Sequence, residues 1–184
     1  MGRLTLANQL TILRIVLVPA FVLLILYGRL GTALLVFLVA GITDALDGLA
    51  ARLAGQRTSI GAWLDPMADK LLLVTTFVVL TLPAIPLTNH LPVWLTVLVI
   101  SRDVVIVAFV AIVNLATGPR TFTPSLLGKT ATAAFILTSV VILYFNYLEQ
   151  TSWLIDVGIW SSLALTVASS ADYFFRVRRL VNER

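Results

Sequence analysis

Long apolar runs, broken by short polar or glycine- and proline-containing segments, make up most of this chain. Runs of about 18 residues or more are long enough to cross roughly 30 Å of hydrocarbon as an α-helix. The pattern predicts six such spans, at Thr11 to Tyr27, Thr32 to Leu53, Ile60 to Leu82, Leu91 to Ala116, Leu126 to Tyr147 and Ser152 to Phe175. Turn chemistry and charge gather between them, at Gly28 to Gly31, Gly55 to Ser59, Pro83 to His90, Thr117 to Pro124 and Glu149 to Ser152. Ahead of the first span, Leu4 to Leu13 mixes apolar residues with Thr5, Asn8, Gln9 and Thr11, the pattern of a short helix lying in the membrane interface. The predicted fold class is an all-α integral membrane protein: a six-helix transmembrane bundle with a short N-terminal interfacial helix, forming a single membrane domain over residues 1–184.

Composition sharpens this picture. Of the 184 residues, 59% are hydrophobic and 12% charged, the latter about half the share found in soluble globular domains. Cysteine is absent, which removes disulfides, thiolate metal sites and cysteine nucleophiles together. The N-terminal arginines lead into a full-length span with no small-residue cleavage site, so no removable signal peptide is predicted.

An even number of spans puts both termini on one side, and the cations decide which. Loops on the terminal side carry Arg52, Arg57, Arg120 and Lys129, and the chain ends add Arg3, Arg14, Arg176, Arg178, Arg179 and Arg184; the opposite loops carry only Arg29. The positive-inside rule then predicts a multi-pass protein of the cell (inner) membrane with both termini cytoplasmic. Trp94 and Trp153 fall near the predicted outer span ends, where aromatic belts form. The basic excess therefore speaks of orientation and anionic lipid, not of nucleic acid.

One stretch does not fit an oily bundle. "TDALDGLAARLAGQRTSIGAWLDPMADK", Thr43 to Lys70, holds four aspartates. In helical geometry Asp44, Asp47, Gly48 and Ala51 share one face of the second span, and Gly61, Asp65 and Asp69 repeat every four residues on the third. A short hairpin would bring the two stripes together, with Gly48, Ala51 and Gly61 keeping the walls low for a ligand. Each aspartate at membrane depth costs roughly 2.5–3.5 kcal/mol, less near the interface. An N-cap role for Asp65, which precedes Pro66, would explain one carboxylate but neither Asp44 nor Asp47. Two divalent cations would neutralise the cluster, and oxygen ligands without Cys or His suit Mg²⁺, Mn²⁺ or Ca²⁺ rather than zinc. The residues thus predict a two-metal carboxylate site open to the cytoplasm and suited to a pyrophosphate.

The spacing Asp44-x-x-Asp47-Gly48-x-x-Ala51-Arg52, eight residues, Gly61-x-x-x-Asp65-x-x-x-Asp69 resembles the full signature of the CDP-alcohol phosphatidyltransferases. "ANQLTILRIVLVP" and "DPMADKLLL" are similar to bacterial phosphatidylglycerophosphate synthases and eukaryotic-type cardiolipin synthases. The resemblance implies a magnesium- or manganese-dependent enzyme of phospholipid biosynthesis, usually a homodimer. In it an acceptor hydroxyl attacks the phosphatidyl phosphorus of CDP-diacylglycerol and CMP leaves. It implies two metal ions held by Asp44, Asp47, Asp65 and Asp69, with Asp69 also the base for the acceptor hydroxyl. Gly48, Ala51 and Arg52, with Gly61, would shape the nucleotide site.

Other polar positions are weighed against simpler roles. Arg102, in "ISRDVVIV", lies well inside the fourth span and is predicted to bind an acceptor phosphate, the simpler role being an ion pair within the bundle. Arg120 and Lys129, flanking "TFTPSLLGK", are predicted to form an anion pocket at the cytoplasmic mouth, although positive-inside bias alone would put them there. Asn8, Thr11 and Arg14 match similar family positions near the nucleotide phosphates, or else form the polar face of the interfacial helix. His90 reads as a solvated loop residue, and Asp156 and Asp172 as interfacial groups.

For the acceptor, glycerol 3-phosphate is the first expectation, which would make the activity that of a phosphatidylglycerophosphate synthase. Ser101-Arg102-Asp103, where glycerol 3-phosphate enzymes of the family usually carry Ser-Arg-Glu, is closer to the cardiolipin synthases, whose acceptor is phosphatidylglycerol. A cation transporter would also place aspartates in the membrane, but with broken helices in both halves of an inverted repeat rather than four acids in one hairpin.

Overall fold

The computed structural model describes the backbone of residues 6–54, 59–117 and 125–182, and the side chains of residues 12–43, 70–108 and 125–174. Every regular element among the described residues is an α-helix: α1 (Leu6–Leu26), α2 (Leu30–Ala54), α3 (Ser59–Thr81), α4 (Val93–Thr117), α5 (Leu126–Tyr147) and α6 (Trp153–Asn182). Within the described residues, α5 and the Trp153–Phe174 part of α6 are long and apolar enough to cross a membrane; Ile12–Leu26, Leu30–Thr43 and Lys70–Thr81 are shorter apolar stretches.

The N-terminus departs from expectation. Among the described residues no separate interfacial helix precedes the first span, because α1 runs unbroken from Leu6 to Leu26. Between Leu6 and Arg14 the chain offers neither glycine nor proline to turn it, so the polar positions ride on the same helix as the apolar run. At the other end α6 continues to Asn182, carrying Arg176, Arg178 and Arg179 in its last turns, where cations suit the helix dipole.

Contacts divide the chain into two units, Met1–His90 with Ile142–Thr151, and Leu91–Val141 with Ser152–Arg184. In the first, α1 packs against both α2 and α3. Its core holds Phe21 and Ile25 from α1, Phe37 and Ala40 from α2, and Leu72, Phe77 and Leu80 from α3. Phe21 and Phe37 meet at 5.9 Å between ring centres. The α1–α2 turn is short because Gly28 takes a left-handed φ of 69°. Its N–H bonds the Ile25 carbonyl, and the Arg29 N–H reaches back to Leu24, the paired closure of a helix C-terminus. Glu149 ends α5 in the same way at φ 55°, with the Gln150 N–H on the Phe145 carbonyl.

A polar lock holds the α3–α4 loop to the end of α5. Fully buried Asn146 accepts the Asn89 N–H at 2.7 Å and donates to the Asn89 carbonyl at 2.9 Å, while the Asn89 amide donates to the Gln150 carbonyl at 2.7 Å. His90, exposed as expected, lies 3.1 Å from the Ile85 carbonyl through Nε2.

The second unit is built on α4, the first part of α5, and α6. Leu95, Val99, Phe135 and Ile155 are buried in it, and Trp94 of α4 meets Trp160 of α6 at 6.1 Å. Thr138 ties α5 to α6: its Oγ1 lies 2.8 Å from the Ala134 carbonyl, 3.1 Å from the Gly158 carbonyl and 3.0 Å from the Ser162 hydroxyl. A Cβ at position 158 would come within 3.0 Å of that oxygen, so glycine is what allows the two helices to close. Large apolar side chains point outward from both units, among them Val16, Leu35, Val104, Leu137 and Val167.

Candidate functional site

The acidic stripes lie on two consecutive helices joined by a short link. α2 carries Asp44, Asp47, Gly48, Ala51 and Arg52, and α3 carries Gly61, Asp65 and Asp69; the side chains of these residues lie outside the described residues. Their heights follow from the backbone. Asp47 stands seven residues before the end of α2 and Asp65 six after the start of α3, or about 10 Å and 9 Å from the connection at 1.5 Å per residue. Asp44 and Asp69 each stand ten residues away, about 15 Å. Both helices pack on α1, and the link between them is four residues long. Counted along each helix from that link, Asp47 and Asp65 stand at similar distances, and Asp44 and Asp69 at equal ones.

α1 brings further polar groups to the same heights. Arg14 lies twelve residues before the end of α1 and Asp44 fourteen after the start of α2, about 18 Å and 21 Å from the α1–α2 turn. Thr11 and Asn8 fall one and two turns farther along α1, at the levels of Asp44 and Asp47; their side chains lie outside the described residues. Arg14 is 1% exposed. A guanidinium is retained in such an interior only with electronegative groups around it.

The second cluster is built on Arg102. Its side chain is 7% exposed, with Nη1 3.1 Å from the Asp103 carboxylate. The guanidinium lies 6.0 Å from the centre of the Phe135 ring, and Nη2 would be 3.5 Å from a Cβ placed at Gly128. The guanidinium therefore lies between the Phe135 ring and Gly128, beside the first turns of α5. There Ser125 caps the helix: its Oγ accepts the Gly128 N–H at 2.9 Å and its carbonyl the Lys129 N–H at 3.1 Å. A buried guanidinium thus meets the positive end of a helix dipole, with exposed Lys129 in the first turn. The Arg102 Nε has no hydrogen-bond partner among the described residues. An arrangement with this much positive potential and one neighbouring carboxylate favours a bound anion.

The Arg102 guanidinium thus reaches Gly128, the residue before Lys129 in the first turn of α5. Arg120 lies outside the described residues. Sequence reasoning missed Gly128, Phe135 and Ser125; the sequence "PSLLGK" holds the cap-and-glycine signal that identifies two of them. Among the described residues, which do not include the side chains of the four aspartates, no group of three or more His, Cys, Asp or Glu side chains converges.

Comparison with known proteins fixes the family. The profile of the CDP-alcohol phosphatidyltransferases matches residues 4–168. The chain belongs to the CDP-alcohol phosphatidyltransferase family. Among curated members it is 35% identical to the Homo sapiens "Cardiolipin synthase (CMP-forming)" over 95% of this chain and 62% of that protein. The Rattus norvegicus protein of the same name is 34% identical over the same shares. It is 30% identical to the Bacillus subtilis "CDP-diacylglycerol–glycerol-3-phosphate 3-phosphatidyltransferase" over 92% of this chain and 93% of that one. The chain thus spans less than two thirds of the length of the two cardiolipin synthases, and nearly all of the bacterial phosphatidyltransferase. The matched region of this phosphatidyltransferase family member takes in α1 to α5 and most of α6, and with them both clusters.

Proposed function

We propose that the protein transfers the phosphatidyl group of CDP-diacylglycerol to a glycerol-based acceptor and releases CMP. What supports this reading is membership of the family over residues 4–168, together with four aspartates that the sequence sets on two consecutive helices joined by a four-residue link. Asp44, Asp47, Asp65 and Asp69 would hold two Mg²⁺ or Mn²⁺ ions; an all-carboxylate donor set fits such hard cations. Bound there, they would supply charge neutralisation at the diphosphate and on departing CMP.

The remaining chemistry falls to the chain's own groups. Asp69 takes the proton of the acceptor hydroxyl, whose oxygen bonds to the phosphatidyl phosphorus as the bond from that phosphorus to the CMP oxygen breaks. Gly48, Ala51, Arg52 and Gly61 line the nucleotide site, and Asn8, Thr11 and Arg14 approach it from α1. Arg102 and Lys129, with Arg120, hold the acceptor's phosphate. Glycerol 3-phosphate is the acceptor expected from the sequence. Phosphatidylglycerol is a second reading, favoured by Ser101-Arg102-Asp103 and by similarity to proteins named cardiolipin synthase. Both offer glycerol-borne phosphate to Arg102 and differ in whether acyl chains hang from it.

The six helices are read as six spans of the cell (inner) membrane, with termini and active site cytoplasmic and two chains forming a homodimer. The outward apolar side chains on α1, α2, α4, α5 and α6 support this placement. Purified protein supplied with CDP-diacylglycerol, an acceptor and Mg²⁺ or Mn²⁺ should release CMP and form a new phospholipid, identified by mass spectrometry. No CMP release with glycerol 3-phosphate, phosphatidylglycerol, inositol or serine would reject the reading.

A further inference from the structure

We infer that a polar cavity at the α1–α2 turn binds a phosphate ester that also carries an ammonium group, the chemistry of an ethanolamine-type phospholipid headgroup. This inference is independent of the transferase reading above. The cavity, about 340 Å³, is lined by the α1–α2 turn and the end of α5, among them Arg29, Gly31, Asn146, Tyr147 and Glu149, and its volume falls within the range of small-molecule sites. All of these residues belong to one unit of the chain. Asp44, the first aspartate of α2, stands fourteen residues from the start of that helix, about 21 Å, so a molecule held here is remote from the acidic stripes. In the topology proposed above, this end faces away from the cytoplasm.

The lining carries one charge of each sign. Arg29 and Glu149 are both exposed and both line the cavity, yet neither forms an ion pair among the described residues. Arg29 offers guanidinium donors to a phosphate. The first turn of α2, which starts at the next residue and holds no acid, adds the positive end of a helix dipole. Glu149 offers a carboxylate to an ammonium, and the Tyr147 ring on the same lining offers its face to that cation. Gly31 fixes the ring's place: a Cβ there would come within 2.8 Å of Tyr147 Cε2, so only glycine lets the ring lie against α2. The walls are set without a ligand, because left-handed backbone at Gly28 and Glu149 closes the two turns and the Asn89–Asn146 bonds hold the end of α5. A simple anion would meet Glu149 and a simple cation would meet Arg29, whereas a ligand bearing both signs satisfies both. Exposed Leu26 and Tyr27 flank the turn, apolar surface that favours a headgroup borne on a lipid over the free amine.

The test titrates the full-length protein in detergent micelles with phosphatidylethanolamine and with its N-acetylated form, which keeps the phosphate and lacks the ammonium. Bound lipid is read by native mass spectrometry. The unmodified protein should bind phosphatidylethanolamine about fivefold more tightly than the acetylated lipid, the upper range for an ion pair open to water. Glu149→Gln should abolish that preference, and Arg29→Gln should weaken both lipids about fivefold. Circular dichroism should show both variants folded, since both positions are exposed. Free phosphoethanolamine is the third probe: displacement of the lipid at equal concentration would assign the site to a soluble amino-phosphate, and failure to displace it would assign the site to the lipid, the inference standing in either case. Equal binding of the two lipids by the unmodified protein, or a preference that survives Glu149→Gln, would overturn it. Either result leaves CMP release, and with it the transferase reading, untouched.

Discussion

Two helical hairpins carry polar side chains into apolar surroundings, and they solve the problem in opposite ways. In the α5–α6 hairpin the polar groups are hydroxyls. Thr138 and Ser162 satisfy each other, Ser139 donates to the Phe135 carbonyl at 2.9 Å, Thr166 to Ser162 at 2.7 Å and Ser169 to Thr166 at 3.1 Å. Each neutral donor finds a carbonyl one turn back or a hydroxyl on the facing helix, so nothing further is needed. The α2–α3 hairpin instead carries four carboxylates, which accept but cannot donate when ionised. No backbone carbonyl can serve them. The hydroxyls of the α5–α6 hairpin close on one another and on backbone carbonyls, whereas ionised carboxylates need donors or cations.

This contrast can be broken or sharpened by experiment. The largest effect is expected from removing the cations: EDTA should abolish CMP release, Mn²⁺ or Mg²⁺ should restore it, and the α5–α6 hairpin should stay folded throughout by circular dichroism. Activity that survives exhaustive chelation would break the comparison. Next, Asp69→Asn should lower turnover by about 10²–10⁴-fold, the usual contribution of a positioned base, with CDP-diacylglycerol binding retained in an equilibrium assay. Replacing Arg102 by Gln should cost about 1.5–3 kcal/mol of acceptor binding through lost charged hydrogen bonds. That is read as a fall of about 10–150-fold in kcat/KM for the acceptor, with donor KM unmoved. Smallest of all, Thr138→Val should cost about 0.6 kcal/mol of stability, typical for one interhelical hydroxyl in a membrane protein, seen as a modest drop in Tm with full activity. A Thr138→Val protein as inactive as Asp69→Asn would erase the distinction between the hairpins.

How much of this was legible in the sequence depended on the range of the interactions involved. The bounds of α5 follow directly from the apolar run between "TPS" and the Glu149 turn, and Leu126–Tyr147 is found as expected. Helical spacing put the four aspartates on two helices joined by a short link, because periodicity and loop length are local properties. The unbroken α1 was missed because polar residues were read as a change of environment, whereas nothing in them breaks a helix. Long-range partners left no trace. Asn89 and Asn146 lie 57 residues apart, and the stacking of Arg102 against Phe135 and its approach to Gly128 depend on how α4 meets α5. A lone buried arginine announces that a partner exists but not which one.

The central claim is that the acids of α2 and α3 surround the same divalent ions. It is tested most directly by titrating Mn²⁺ into the purified protein and into Asp44→Asn, Asp47→Asn, Asp65→Asn and Asp69→Asn, with bound metal read by electron paramagnetic resonance. A common site predicts that substitutions on either helix weaken the same Mn²⁺ signal, and that CDP-diacylglycerol perturbs it in the unmodified protein. Unchanged Mn²⁺ affinity in all four variants would contradict the claim.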